Sequence, residues 1–182
     1  MGNKLRDEIK QTKPFSGLEQ EALLNIRRTS GYIEHIFQQI LKQHGLTEPQ
    51  YNVLRILRGA GPDGLRCAEI GERMITRDPD ITRLLDRLQR QRLVERKRDV
   101  NDRRVIRARI SAAGTEILRE LDPVVEATGI SVLKHLSRAR LDLLIDLMEE
   151  VRLGAPASAS HLADAGSPIC RDSGDDSREV SP

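Results

Sequence analysis

Between Leu93 and Ile110 the pattern of the chain changes period from 3.6 to 2. Val94, Arg96 and Arg98 alternate on one limb and Ile106, Ala108 and Ile110 on the other, around a turn of Asp99, Val100, Asn101 and Asp102. This spells a β-hairpin over 94–110. The segments before it are helical in pattern. Ala68 to Ile75 predicts a short helix with Ile70, Met74 and Ile75 facing inward, and Asp78-Pro79 opens the next, with the aspartate as N-cap and the proline at N1. Only Thr76 and Arg77 separate these two helices, which is the tight connection of a helix-turn-helix. A hairpin directly after the second helix, over 79–92, makes a wing.

The flanks are helical too. Residues 1–16 are polar and expected to be loosely held. From 17 to 45 runs an amphipathic segment with Leu18, Ala22, Leu23, Ile26, Ile33, Ile36, Phe37, Ile40 and Leu41 at helical spacing. At ~1.5 Å per residue it spans about 40 Å, so part of its apolar stripe must bury against something outside the helix-turn-helix core. Thr47 and Gln50 form a capping box for a helix through Leu54 and Leu57 that should stop before Gly59, with a turn at Gly61-Pro62-Asp63-Gly64. Ser111 can cap a long helix that Pro123 should kink, and a last helix starts near Ser137. Residues 154–182 are rich in Ala, Ser, Gly, Pro and Asp and are expected to be disordered. The fold class is mainly α with one β-hairpin. At 182 residues we expect a single globular unit with trimmings.

The net charge of +2 conceals an asymmetry: Arg66 to Arg109 carries 14 Lys/Arg against 8 Asp/Glu, whereas Ile110 to Leu153 carries 5 against 8. A basic middle in a near-neutral chain suits a polyanionic partner. With only Phe15, Tyr32, Phe37 and Tyr51 as aromatics, the stacking platforms of single-strand and RNA binders are missing. On a helical wheel Ile81, Leu84, Leu85 and Leu88 share one side, and Thr82, Arg83, Asp86, Arg87 and Arg90 the other. An arginine-bearing face on the second helix of a helix-turn-helix fits the major groove, with Asp80 to Arg83 reaching base edges first. The alternative is a solvated face whose charges pair locally, as Arg83 with Asp86. The hairpin limbs add Arg96, Lys97, Arg98, Arg103, Arg104, Arg107 and Arg109. A guanidinium at such a tip suits the minor groove, and Asp102 is spaced to hold Arg104 or to close the turn on its own backbone.

The run from Asp102 to Gly114, Asp-Arg-Arg-Val-Ile-Arg-Ala-Arg-Ile-Ser-Ala-Ala-Gly, resembles the D-x-R-x-x-x-V-x-L-T-x-x-G signature of the multiple antibiotic resistance regulator (MarR) family, with Ala108, Ile110 and Ser111 as mild departures. Ile81 to Leu88 and Leu93 to Arg96 resemble that family's recognition helix and its exit, although Gln91-Arg92 stands where a glycine is usual. The resemblance covers roughly residues 18–153. It implies a winged helix-turn-helix over 46–110 and a homodimer built from the N-terminal helix of 17–45 and the helices of 111–153. It implies double-stranded DNA with a pseudo-palindromic operator as partner, and Arg104 as the minor-groove arginine oriented by Asp102. Many relatives are repressors released by a small lipophilic or phenolic effector.

The DNA-binding candidates are therefore Asp80, Thr82, Arg83, Asp86, Arg87 and Arg90 on the helix, and Arg98, Asp102, Arg103 and Arg104 on the wing. Cys67 sits at a helix start beside Arg66, which makes a redox sensor conceivable against a structural cysteine; Cys170 lies in the tail. His35, His44, His135 and His161 do not converge as metal ligands, and no cofactor is expected. No nucleophile elbow, phosphate loop or paired carboxylates appear, so no enzyme is expected. No stretch is apolar enough to span a membrane, and a cytoplasmic location is expected. The competing reading is a winged helix that has lost base reading and serves as an interaction module or coats DNA without specificity.

Overall fold

The computed structural model describes residues 4–76, 80–99 and 105–154. The chain divides into two compact units, Met1–Glu48 and Pro49–Pro182. The expectations for the wing tip (Val100 to Arg104), for Asp78-Pro79 and for the tail from 155 onward, with Cys170 and His161, lie outside the described residues.

In the first unit the long amphipathic pattern forms α2 (Leu18–Lys42), 25 residues. Its end is set by Gly45, whose φ of +69° is one that a side chain would strain. That turn lets the Leu46 N–H reach back to the Leu41 carbonyl at 3.1 Å, and both leucines are buried. Residues 4–16 differ from the loose segment expected. Lys4–Glu8 forms a short helix, α1, anchored by buried Leu5. The Arg6 guanidinium donates to the carbonyls of Gln11 and Thr12 at 3.1 and 2.9 Å. One apolar residue and one arginine satisfying backbone carbonyls give order that average polarity conceals.

The second unit takes in nearly all of α3 (Glu48–Ala60). This helix starts directly after Thr47, as the capping pattern requires, but runs through Gly59 into a 3-10 turn, Gly61–Asp63. Then comes an element with no sequence signal. Leu65 exchanges two backbone bonds with Ala108: its N–H donates to the Ala108 carbonyl (2.9 Å) and its carbonyl accepts from the Ala108 N–H (2.8 Å). Gly64 makes this approach possible, because a Cβ there would lie 2.3 Å from the Ala108 oxygen.

The helix-turn-helix pair is α4 (Cys67–Arg73) and α5 (Ile81–Arg90). The connection is longer than expected, because α4 stops at Arg73 and Met74 adopts extended backbone. Ile75 therefore points outward, 80% exposed, while its N–H donates to Asn52 Oδ1 at 2.9 Å. The N-cap of α5 is Asp80, not Asp78, and the helix begins at Ile81 and not at 79; its Oδ1 accepts the Arg83 N–H at 2.9 Å. This start coincides with the first residue of the apolar stripe. Leu85 and Leu88 are fully buried, together with Leu54 and Leu57 of α3 and Ile70 of α4.

Arg92 ends α5 with a φ of +60°. The Leu93 N–H bonds the Leu88 carbonyl and the Arg92 N–H the Gln89 carbonyl, both at 2.9 Å, the double closure normally built on a glycine. The hairpin follows as β1 (Val94–Arg98) and β2 (Ile106–Ile110), antiparallel, with Val94 opposite Ile110, Arg96 opposite Ala108 and Arg98 opposite Ile106. Ser111 then caps α6 (Ala112–Leu133): its Oγ accepts the Gly114 N–H at 3.0 Å and donates to the Arg92 carbonyl at 2.7 Å. Gly114 allows the Leu93 carbonyl to sit against the helix start, since a Cβ would come within 2.3 Å of it. The helix continues through Pro123 to Leu133, and α7 (Arg138–Leu153) follows, N-capped at Ser137. Among the described residues no helix is long and apolar enough to cross a membrane.

Two substitutions at this junction should act in opposite directions. Gly114→Ala forces a backbone carbonyl away and should cost about 1–3 kcal/mol in urea unfolding. Arg92→Gly relieves the left-handed strain and should add about 0.5–1 kcal/mol. A loss of stability in Arg92→Gly would contradict the reading of that turn.

Candidate nucleic-acid interface

The face of α5 opposite its buried leucines carries Thr82, Arg83, Asp86, Arg87 and Arg90, with Arg83, Arg87 and Arg90 exposed. The two carboxylates beside these arginines are both engaged. Asp80 takes the Arg83 Nε at 2.9 Å on Oδ2 while its other oxygen caps the helix. Asp86 does not pair with Arg83; its Oδ1 lies 2.8 Å from Arg96 Nη2 in β1. Arg90 Nε donates to the Asp86 carbonyl at 3.3 Å.

Arg96 is what joins the helix to the wing. The same Nη2 also donates to the Thr82 carbonyl at 3.0 Å, and the side chain is only 20% exposed. Its Nε is buried without a hydrogen-bond partner among the described residues. The parity of the strand explains the burial: Arg96 shares a face with buried Val94 and lies opposite buried Ala108. Arg107 plays a parallel part on the other strand. Its Nε pairs with Asp99, and its Nη1 donates to the Gly64 carbonyl at 3.3 Å and lies 3.9 Å from Glu69 Oε2. The bond to Asp99 holds the Arg107 guanidinium above its ordinary pKa. Glu69 in turn accepts the Arg66 N–H at 2.8 Å, capping α4, and this bond holds its carboxyl below the usual carboxylate range. Both strands of the wing are thus tied to the helix-turn-helix by arginines of the basic stretch that are not among the candidate DNA contacts.

Arg98, at the end of β1, is exposed and faces the same side as Arg96. Asp99 donates its N–H to the Val105 carbonyl at 2.8 Å, closing the described part of the hairpin. Asp102, Arg103 and Arg104 lie outside the described residues. Cys67 is the first residue of α4 and half-buried. No group of three or more His, Cys, Asp or Glu suited to a metal occurs among the described residues.

Elsewhere in the second unit, Asp122 of α6 accepts from the Tyr51 hydroxyl (3.2 Å) and pairs with Arg58, both of α3. Burial, followed by the Asp122 charge, raises the Tyr51 pKa. This cross-tie fixes α6 to the helix that precedes the helix-turn-helix pair. By contrast α7 has no buried residue at all, and Leu143, Leu144, Ile145, Leu147 and Val151 stand exposed on it.

Comparison with known proteins gives concordant results. The profile described as MarR family matches residues 44–105. A MarR transcription factor of Planctomyces limnophilus is 39% identical, with a TM-score of 0.58 over 75% of this chain and 98% of that one. The HTH-type transcriptional regulator MhqR of Bacillus subtilis is 29% identical over 122 residues, 67% of this chain and 82% of that protein. NadR, solved in complex with 4-hydroxyphenylacetate, is 25% identical with a TM-score of 0.60 over 76% of this chain and 97% of that one.

The Arg96 tie has a measurable size. Arg96→Met should lower unfolding stability by about 1–3 kcal/mol, since it strips the Thr82 carbonyl and Asp86 of a shared donor. A double-mutant cycle with Asp86→Asn should return a coupling of about 0.5–2 kcal/mol; additive losses would mean the two side chains do not depend on each other.

Proposed function

Because this chain belongs to the MarR family, whose members are DNA-binding transcriptional regulators, we propose that it acts as a homodimer on a pseudo-palindromic duplex operator. In this reading Arg83, Arg87 and Arg90 of α5 enter the major groove, with Thr82 beside them, and Arg98, Arg103 and Arg104 of the wing follow the backbone and minor groove of the adjoining turn. Asp86 acts indirectly, by fixing Arg96. The observation that carries the proposal is the division of labour among the arginines. Those on the outer face of α5 are exposed, whereas Arg96 and Arg107 are turned inward and tie the wing down. A helix and a ribbon held to each other present two reading elements at a fixed spacing, which is what neighbouring grooves demand.

Two-fold pairing is supported by the helices outside the DNA-reading core. A 16-residue helix such as α7 with no buried side chain does not stand alone in water. A second copy covering α7, together with the exposed Val124 and Ile130 of α6, would remove that surface from solvent. Repression relieved by a small phenolic or lipophilic effector is the regulatory mode we propose, on the strength of NadR, which was solved with 4-hydroxyphenylacetate.

Selection of duplexes from a random pool, followed by titration against random competitor, tests the reading. The protein should enrich an inverted repeat with half-sites about one turn apart, ~34 Å, and form a complex of two chains per duplex. Arg83→Ala should lose about 1–3 kcal/mol at one base pair per half-site. Arg104→Ala should weaken all duplexes alike and reduce the salt slope by about one. Equal affinity for every duplex would leave only non-specific coating of DNA.

A further inference from the structure

We infer that Asp80 is a specificity-positioning residue. It holds the Arg83 guanidinium in the pose that meets a base edge and does not itself touch DNA. The inference rests on the reading of α5 as the groove-entering helix.

Both carboxylate oxygens of Asp80 engage one residue three positions along. Oδ1 accepts the Arg83 backbone N–H and Oδ2 lies at the Arg83 Nε, each at 2.9 Å. The pairing thus engages the inner nitrogen of the guanidinium and leaves the two terminal nitrogens at the tip of a side chain that is 80% exposed. Those terminal nitrogens are the parallel fork that a guanine edge, O6 with N7, accepts in bidentate fashion. An unrestrained arginine would have to give up several rotamers to present that fork, and a restrained one gives up fewer.

Capping alone does not call for a carboxylate at this position. The cap function is served equally by asparagine or serine, which also supply an oxygen to the helix start. Exposed ion pairs contribute little to folding. A negative charge at the leading end of a helix that approaches phosphates works against binding in general. What aspartate adds over the neutral caps is the second charged oxygen, and that oxygen is the one on Arg83. Among the described residues, Arg83 is also the arginine of α5 that pairs with a carboxylate, whereas Arg90 meets only a backbone carbonyl. The other acid on this face, Asp86, is committed to Arg96.

Asp80→Asn separates the two roles, because it keeps the cap and removes the charge that orients Arg83. Random-duplex selection with sequencing, on the full-length protein, would compare wild type, Asp80→Asn, Arg83→Ala and the double variant, with unfolding midpoints measured alongside. Asp80→Asn should keep a midpoint close to wild type, relax preference at the same base pair that Arg83→Ala relaxes, and lower discrimination there by about three- to tenfold. Its affinity for random duplex should rise, since a repulsive charge is gone. In the Arg83→Ala background it should change the preference no further. Unchanged discrimination in Asp80→Asn would reduce Asp80 to a cap. Relaxation at a different base pair would mean that Asp80 meets a base directly. Either result overturns the inference while leaving the DNA-reading assignment of α5 intact. A wild-type protein that selects no duplex removes that assignment, and the inference with it.

Discussion

The arrangement of this protein's reading surface depends on one guanidinium. Arg96 reaches from β1 to the Thr82 carbonyl and the Asp86 carboxylate of α5, and it does so from a mostly buried position on the strand face that also holds Val94. A two-stranded hairpin has little stability of its own, so its angle to the helix must be imposed from outside. Arg96 imposes it on one strand, and Arg107, through Gly64, Glu69 and Asp99, on the other. The Leu65–Ala108 bridge adds a third strand of a single residue, and Gly64 makes room for it. Removing the lateral support would leave α5 and the wing as two elements on a loose joint, with no fixed groove spacing to offer.

The junction at the exit of α5 shows the same economy of parts. Arg92 turns the chain, Leu93 sends its carbonyl towards α6, Ser111 caps that helix and ties back to Arg92, and Gly114 leaves space for the carbonyl. This gives the Ser-x-x-Gly end of the wing signature a mechanical meaning. It joins the wing to the long helix without a linker, and Asp122 joins that helix to α3 through Tyr51 and Arg58. The base of the wing is therefore connected through α6 to α3.

Much of this was legible in the residues, and the departures have definite causes. Long periodic stretches placed α2, α5, α6 and the hairpin limbs, because burial of one face dictates their period. Single-residue features carried no period, so the Leu65 bridge and the buried Leu5 were invisible. The capping pattern Asp78-Pro79 pointed to a start two residues early. The structure uses Asp80, whose carboxylate reaches both the backbone and the side chain of Arg83, and the helix is shorter at both ends than 79–92. The helical period that would turn Ile75 inward stops at Arg73. Charge was the least legible feature. Counting arginines in the hairpin gave the partner's polarity correctly in outline, but it did not show that Arg96 and Arg107 are turned onto the protein's own acids. The parity of Arg96 with Val94 was the available clue.

The central claim is that the arginine face of α5 reads base edges in the major groove. Methylation interference at guanine N7, which lies in that groove, tests it most directly. On the selected duplex, methylation of at least one guanine in each half-site should block binding, and that block should disappear when Arg83 is replaced by alanine. If no N7 methylation interferes while the duplex is still selected by sequence, α5 is not in the major groove and the account is wrong.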